Sequence, residues 1–293
     1  MEIVNQNTST ELTKKTNHRE SNIGKLLLDL GKIKPEDAER IIRLQKAENI
    51  KFGDAAQRLG LINESDIKQV LALQFDYPYL QPNTGDFSKN LVAAYQPFSP
   101  QVEALRALRS QLIIRWFNEG NKALAVISPT TADGSSNLAA NLAIVFSQLG
   151  EQTLLIDANL RNPIQHKLFN LTEQKGLSDI LVGRAGVDVL TKIETFVDLT
   201  LLGAGTVPPN PQELLTRPSF NEFMNWAKNT YDVVIVDAPA ANETSDSQTI
   251  AWRCGGALLV SRLNQTRVED LKNIKDQLTV NGVQIVGAVI NDF

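Results

Sequence analysis

Apolar residues recur along this chain in two rhythms, and the change of rhythm divides it. From Gly24 onward they come at helical spacing, and the stretch repeats itself. Gly24-Lys-Leu-Leu-Leu-Asp-Leu-Gly31 is answered 29 residues later by Gly53-Asp-Ala-Ala-Gln-Arg-Leu-Gly60. The match runs on: Ile33 pairs with Ile62, Asp37 with Asp66, Leu44 with Leu73 and Gln45 with Gln74. Each unit reads as helix, glycine stop, turn and second helix. Gly31 and Gly60 suit the left-handed position that closes a helix, while Pro35 and Asn63 suit the start of the next. The pattern predicts a small all-helical domain over residues 22–82. The stretch before it, 1–21, is polar without apolar periodicity and reads as a flexible tail.

Pro82, Gly85, Pro97 and Pro100 interrupt the chain and predict a linker over 83–100. A helix follows, from Gln101 to about Asn118, and opens a second domain, 101–293. There, apolar runs bounded by turn residues alternate with amphipathic stretches. The runs are Ala123–Ile127, Thr153–Ile156, Leu199–Leu202, Val233–Val236, Ala257–Val260 and Val283–Ile290. They are largely continuous, as in strands buried on both faces. Strands of that kind separated by helices predict an α/β fold, a doubly wound, mostly parallel sheet.

Composition narrows the function. Lys and Arg total 29 against 33 Asp and Glu, a net charge of -4 over 293 residues. That balance supplies no basic field for a nucleic acid or an anionic membrane. The one cysteine, Cys254, excludes an intrachain disulfide and a cysteine-based metal site. No run approaches 18 apolar residues, and the polar opening lacks the apolar core of a signal peptide, so a cytoplasmic protein is expected.

Three loops carry candidate chemistry. The first predicted strand ends in Ser128-Pro-Thr-Thr-Ala-Asp-Gly-Ser-Ser136 and runs into a helix starting at Asn137. Strand, small-residue loop and helix form the layout in which backbone N–H groups cradle phosphates, although a plain strand-to-helix turn reads the same. The second strand ends in Asp157-Ala-Asn-Leu-Arg161 and another in Asp237-Ala-Pro-Ala240. Two carboxylates at strand ends beside such a loop are placed to hold Mg²⁺ and orient a nucleophile.

These segments resemble a known family. Glu103-Ala-Leu-Arg106-Ala-Leu-Arg109, the loop, Leu154–Pro163, Gly203–Leu215 with Pro208-Pro-Asn-Pro-Gln-Glu-Leu-Leu, Val233–Pro239 and Val286–Phe293 are similar, in order and spacing, to the bacterial protein-tyrosine kinases of capsule and exopolysaccharide synthesis. The likeness covers about 96–293. It is nearest to the chain-length determinant protein tyrosine kinases, which carry an extra helical domain in front. That front domain resembles the N-terminal domain of type II secretion and pilus ATPases.

The resemblance implies a P-loop ATPase fold, ATP and Mg²⁺ as cofactors, and tyrosine phosphorylation. It further implies a membrane polysaccharide co-polymerase as partner, bringing the chain to the membrane, and a homo-oligomeric ring. It assigns the nucleotide to Thr131, Ala132, Asp133, Gly134, Ser135, Ser136, Asn137 and Asn291. Mg²⁺ falls to Ser136 and Asp237, catalysis to Asp157 and Asp237, and the intersubunit contact to Glu103, Arg106 and Arg109. By their spacing alone the last three read equally as a solvated helix face with i,i+3 pairing.

The sequence also departs from the family. Its phosphate loop reads Gly-x-Gly-Lys-Ser/Thr, whereas here Ala132 stands at the first glycine and Ser135 at the lysine. No Lys or Arg lies between Lys122 and Arg161. Asn159 replaces the second acid of an Asp-x-Asp motif, and Tyr77, Tyr79, Tyr95 and Tyr231 do not match the family's C-terminal tyrosine cluster. Members of the secretion-ATPase class that bind cyclic di-GMP carry arginine where Asn22 and Lys51 stand here, so that ligand is not expected. Two readings follow: an ATP-dependent tyrosine kinase of weakened activity, or a catalytically inactive scaffold of the same assembly.

Overall fold

The structure is a computed structural model that describes residues 23–74, 77–80, 85–172 and 175–292. The predicted tail, 1–21, lies outside the described residues. The chain divides into two compact units, Met1–Pro78 and Tyr79–Phe293.

The first unit holds α1 (Ile23–Asp29), α2 (Pro35–Glu48), α3 (Phe52–Arg58) and α4 (Glu64–Gln74), the two helix pairs that the repeat predicts. Gly31 and Gly60 take matching left-handed conformations, φ 65° and 66°, where a side chain would be strained. The second helices start alike as well. The Lys34 N–H donates to Asp37 Oδ2 (3.1 Å) and the Asn63 N–H to Asp66 Oδ2 (3.0 Å), with Asn63 Oδ1 accepting from the Asp66 N–H (2.9 Å). Leu26, Leu27, Ile41, Ala55, Ala56 and Val70 close the unit's own core.

The second unit runs α5 (Val92–Tyr95), α6 (Pro100–Arg115), β1 (Ala123–Ile127), α7 (Ser135–Ser147), β2 (Thr153–Asp157), α8 (Gln165–Leu168) and α9 (Leu177–Leu181). It continues through β3 (Thr191–Lys192), β4 (Leu199–Leu202), α10 (Pro211–Thr216), α11 (Pro218–Thr230), β5 (Val233–Asp237), α12 (Asp246–Cys254), β6 (Gly256–Arg262), α13 (Val268–Val280) and β7 (Gln284–Asn291). The seven strands are ordered β3-β4-β2-β5-β1-β6-β7, parallel except for the two-residue β3. Alternate strand residues feed two cores. Leu124, Val126 and Ile235 join α6 and α7 on one face, while Ala125, Ile127 and Val234 join α10 to α13 on the other. The predicted parallel α/β sheet is thus observed, with both faces covered.

Two local expectations give way. First, β7 is not buried on both faces: Gln284, Ala288 and Ile290 are exposed, because an edge strand has one neighbour and less cover. Second, the described part of the predicted linker is packed. Leu91, Ala93 and Ala94 are fully buried, and the Leu80 N–H donates to the Ala94 carbonyl at 2.7 Å. A single turn such as α5 is too short to show a period, so its apolar residues carried no signal against the surrounding prolines.

Sheet order positions the site. The chain enters the sheet at β1, crosses to β2 on one side and later continues to β6 on the other. The carboxyl ends of β1, β2 and β5 therefore flank the crevice where a doubly wound sheet binds ligands.

Candidate functional site

The loop after β1 is held from within. Its one-turn helix Thr131–Asp133 is stapled by Asp133 Oδ2, which accepts from the Thr130 N–H (2.8 Å) and the Thr130 hydroxyl (3.0 Å). Thr266, after β6, donates to the other carboxylate oxygen. The buried Asp133 side chain is thus spent on shaping the loop. Gly134 turns the chain at φ 81°, and α7 begins at Ser135. The first N–H groups of a helix have no intrahelical acceptor, so those from Ser135 to Asn137 are the loop's available donors. Thr131 and Ala132 are exposed at its tip.

Ser135, at the lysine position, turns inward. It is buried, and its hydroxyl is hydrogen-bonded to that of Ser128 at 2.9 Å. The cations nearest in sequence are engaged elsewhere: Arg161 Nε pairs with the buried Asp246 at 2.9 Å, and Lys122 with Asp232 at 3.6 Å. Arg109 donates to the Val145 carbonyl in α7 at 2.6 Å.

Ser136 faces the acids. Its hydroxyl donates to Asp237 Oδ1 at 3.0 Å, a pairing across 101 residues that the fold alone creates. Asp157 and Asp237 are directly paired across β2 and β5, and both are fully buried. Asp157 accepts from three backbone N–H groups, those of Asn159 (3.2 Å), Ile164 (2.9 Å) and Gln165 (2.9 Å). Burial pushes the Asp157 carboxyl up to about 6 against those hydrogen bonds. Asp237 is pushed up to about 8, by burial first and by the charge of Asp157 second. The Asn159 side chain is directed elsewhere: its oxygen accepts from the Asn162 N–H at 3.0 Å.

Asn291, from the end of β7, donates its amide to the Asp133 carbonyl at 2.8 Å and so braces the loop. Beside it opens a groove of about 820 Å³ between α6, the start of α7 and β7, with Leu105, Leu108, Gly134, Asn137, Val289 and Asn291 in its walls. Asn137 Oδ1 is buried there without a hydrogen-bond partner among the described residues. Glu103 and Arg106 pair with one another along α6, as their spacing allowed.

Sequence reasoning missed Gln165. It donates to Asp237 Oδ2 (2.7 Å) and to the Ser136 carbonyl (3.0 Å), linking the acids to the loop. Nothing in Asn162-Pro-Ile-Gln165 advertises this, because both partners come from other segments.

Ser136 and Asp237 offer hard oxygen donors 3.0 Å apart, a set that fits Mg²⁺. Helix α7 offers N–H donors suited to phosphate. The fit is incomplete at one point, the cation that Ser135 does not provide.

The likeness to known proteins is extensive. Staphylococcus aureus CapB, named for tyrosine-protein kinase activity, is 33% identical over 196 residues, 67% of this chain and 86% of CapB. The chain belongs to the bacterial tyrosine-protein kinase family. Among solved members, the kinase domain of Escherichia coli Etk is 32% identical with a TM-score of 0.67, over 72% of this chain and 84% of that domain. The chimerical protein CapA2B2 is 30% identical with a TM-score of 0.66, over 78% and 98%. MinD of Pyrococcus horikoshii, solved with Mg-ADP, shares the fold at 20% identity and a TM-score of 0.52. The tyrosine-protein kinase Wzc of Salmonella typhi is 31% identical over 203 residues, and there the chain spans only 28% of the relative's length. No family model matches the chain. Among the described residues, no helix is long and apolar enough to cross a membrane.

Proposed function

We propose that this chain is a nucleotide-binding tyrosine kinase of exopolysaccharide synthesis with weakened phosphoryl transfer, acting on polymer chain length together with a membrane co-polymerase. The observation that carries this reading is the Ser136–Asp237 hydrogen bond at the start of α7, set beside the Asp157–Asp237 pair. The loop from Thr131 to Asn137 binds the phosphates of ATP through the N–H groups of Ser135, Ser136 and Asn137. Asp237 and Ser136 hold Mg²⁺, and Asp157 orients the acceptor tyrosine hydroxyl. Bound Mg²⁺ would neutralise phosphate charge in the transferring group. The groove beside Asn137 and Asn291 has room for the base.

The weakness is electrostatic. One unit charge about 4 Å from a phosphate oxygen is worth roughly 4 kcal/mol at an effective dielectric near 20. That corresponds to about a thousandfold in affinity. Phosphoryl transfer rests on such placed cations, and losing an arginine finger elsewhere costs about 10³ to 10⁵ in rate. Ser135, turned onto Ser128, supplies hydrogen bonding inside the loop and no charge. This one contact also favours the second reading, a scaffold that keeps the fold and has lost efficient transfer.

Calorimetry with ATP·Mg²⁺ separates the two. The wild type should bind weakly, and Ser135→Lys should tighten binding by on the order of tenfold to a thousandfold. Tight wild-type binding that Ser135→Lys leaves unchanged would defeat the charge argument. Binding by neither protein favours the scaffold.

A further inference from the structure

Gln165 opens α8 at the point where β2, β5 and the loop before α7 converge, and it is fully buried. Its backbone N–H donates to Asp157 Oδ2 (2.9 Å), and its side-chain amide donates to Asp237 Oδ2 (2.7 Å) and to the Ser136 carbonyl (3.0 Å). One residue therefore touches both acids and the loop. Both neighbours of the amide nitrogen are acceptors, which fixes the amide the right way round. Asp237 consequently has each oxygen committed, Oδ1 to the Ser136 hydroxyl and Oδ2 to Gln165. The other end of the same amide, Oε1, is buried and accepts no hydrogen bond among the described residues. Buried amide oxygens are seldom left so, and those that are call for an explanation.

We propose that Gln165 is a positioning residue of the divalent-cation site. Its amide N–H groups hold the Asp237 carboxylate so that Oδ1 stays turned toward Ser136, and its Oε1 is the acceptor for the hydration shell of the bound cation. The proposal rests on the nucleotide·Mg²⁺ reading above and extends it to a residue outside the phosphate loop and the two acids. A residue that merely packs would need neither two directed donors nor a buried acceptor left unpaired. Groups that orient a metal's ligands typically change its affinity by about 10- to 100-fold when lost.

The test uses the full chain and compares ADP affinity with and without Mg²⁺ in the wild type and in Gln165→Met, which keeps the side-chain length and removes both polar ends. The expected result is a loss of on the order of tenfold in the tightening that Mg²⁺ confers. The Mg²⁺-free ADP affinity should be unchanged. Equal Mg²⁺ tightening in both proteins overturns the proposal. So does a parallel loss of Mg²⁺-free affinity, the mark of a loop that has only lost its support. Mn²⁺ alone, titrated against the wild type by electron paramagnetic resonance, separates this failure from that of the underlying reading. A wild type that binds neither Mn²⁺ nor ADP overturns both. Should Gln165→Met not fold, the Gln165 side-chain NH₂ signal of the wild type serves instead. A saturable shift on adding Mg²⁺ supports the role, and a static signal refutes it.

Discussion

Two facing carboxyls buried at the ends of β2 and β5 impose a pH dependence on the folded chain. Both Asp157 and Asp237 titrate well above an ordinary aspartate, near 6 and 8, because burial disfavours their charge and, for Asp237, because the charge of Asp157 opposes its ionisation. In the unfolded chain the same groups titrate near 3.9, at about the reference value. Between roughly pH 4 and 8 the folded state thus holds more protons than the unfolded state, and stability declines as pH rises. The melting temperature of the wild type should fall from pH 5 to pH 9. Asp237→Asn, which removes the higher-titrating carboxyl, should flatten that slope and melt higher than the wild type at pH 8. Thermal melts in a series of buffers check both statements, and a steeper slope in the variant would contradict them. Binding of Mg²⁺ draws on the ionised pair, so the Mg²⁺ response should strengthen over the same range.

At the scale of elements, side chains of α7 tie down the segment before α6. Asn141, buried in α7, accepts from the Ala93 N–H (2.9 Å) and donates to the Asn90 carbonyl (2.9 Å), and Gln148 adds a bond to the Ala93 carbonyl (3.2 Å). Those bonds hold α5 on the helix whose first turn carries Ser136, with Lys89 and Asn90 in the wall of the same groove. Asn141→Ala would strip partners from the Ala93 N–H and the Asn90 carbonyl, at about 1–3 kcal/mol for each group that stays buried. We expect a lower urea midpoint and new protease cleavage within residues 85–99. Cleavage no faster than in the wild type would show that apolar burial of Leu91, Ala93 and Ala94 suffices by itself.

For the molecule as a whole, the proposed ring contact turns on α6. Glu103 and Arg106 satisfy one another along α6, and Arg109 reaches the Val145 carbonyl. Arg109 therefore also joins α6 to α7, so replacing it would disturb the fold along with any ring. Arg106→Ala leaves that bond in place, and on the proposed ring contact it should shift the protein to smaller species in light scattering. A wild type that stays monomeric at high concentration with nucleotide present would remove the ring reading. Lys51, exposed just before α3, can offer charge to a phosphate but no planar face to a guanine, and Asn22 lies outside the described residues. Calorimetry of the full chain with cyclic di-GMP should give no saturable heat at micromolar ligand; saturable heat would make the helical unit a second-messenger sensor.

The repeat over 24–74, the strands of the second unit and the acids at their ends could be read from the sequence, because each depends on contacts within a few residues or on a period. Continuous apolar runs mark strands covered on both faces whichever strands they later pair with, and glycines at equivalent turns fix equivalent helix ends. What needed the tertiary structure was every relation between segments. That Ser136 meets Asp237 follows from β5 being inserted between β2 and β1. That Ser135 turns onto Ser128, that Asn291 braces the loop, and that α5 is core rather than linker depend on partners 7, 158 and 48 residues away. Gln165 is the clearest case. An amide after a proline carries no local mark of function, and its role exists only because the fold brings Asp157, Asp237 and Ser136 to it.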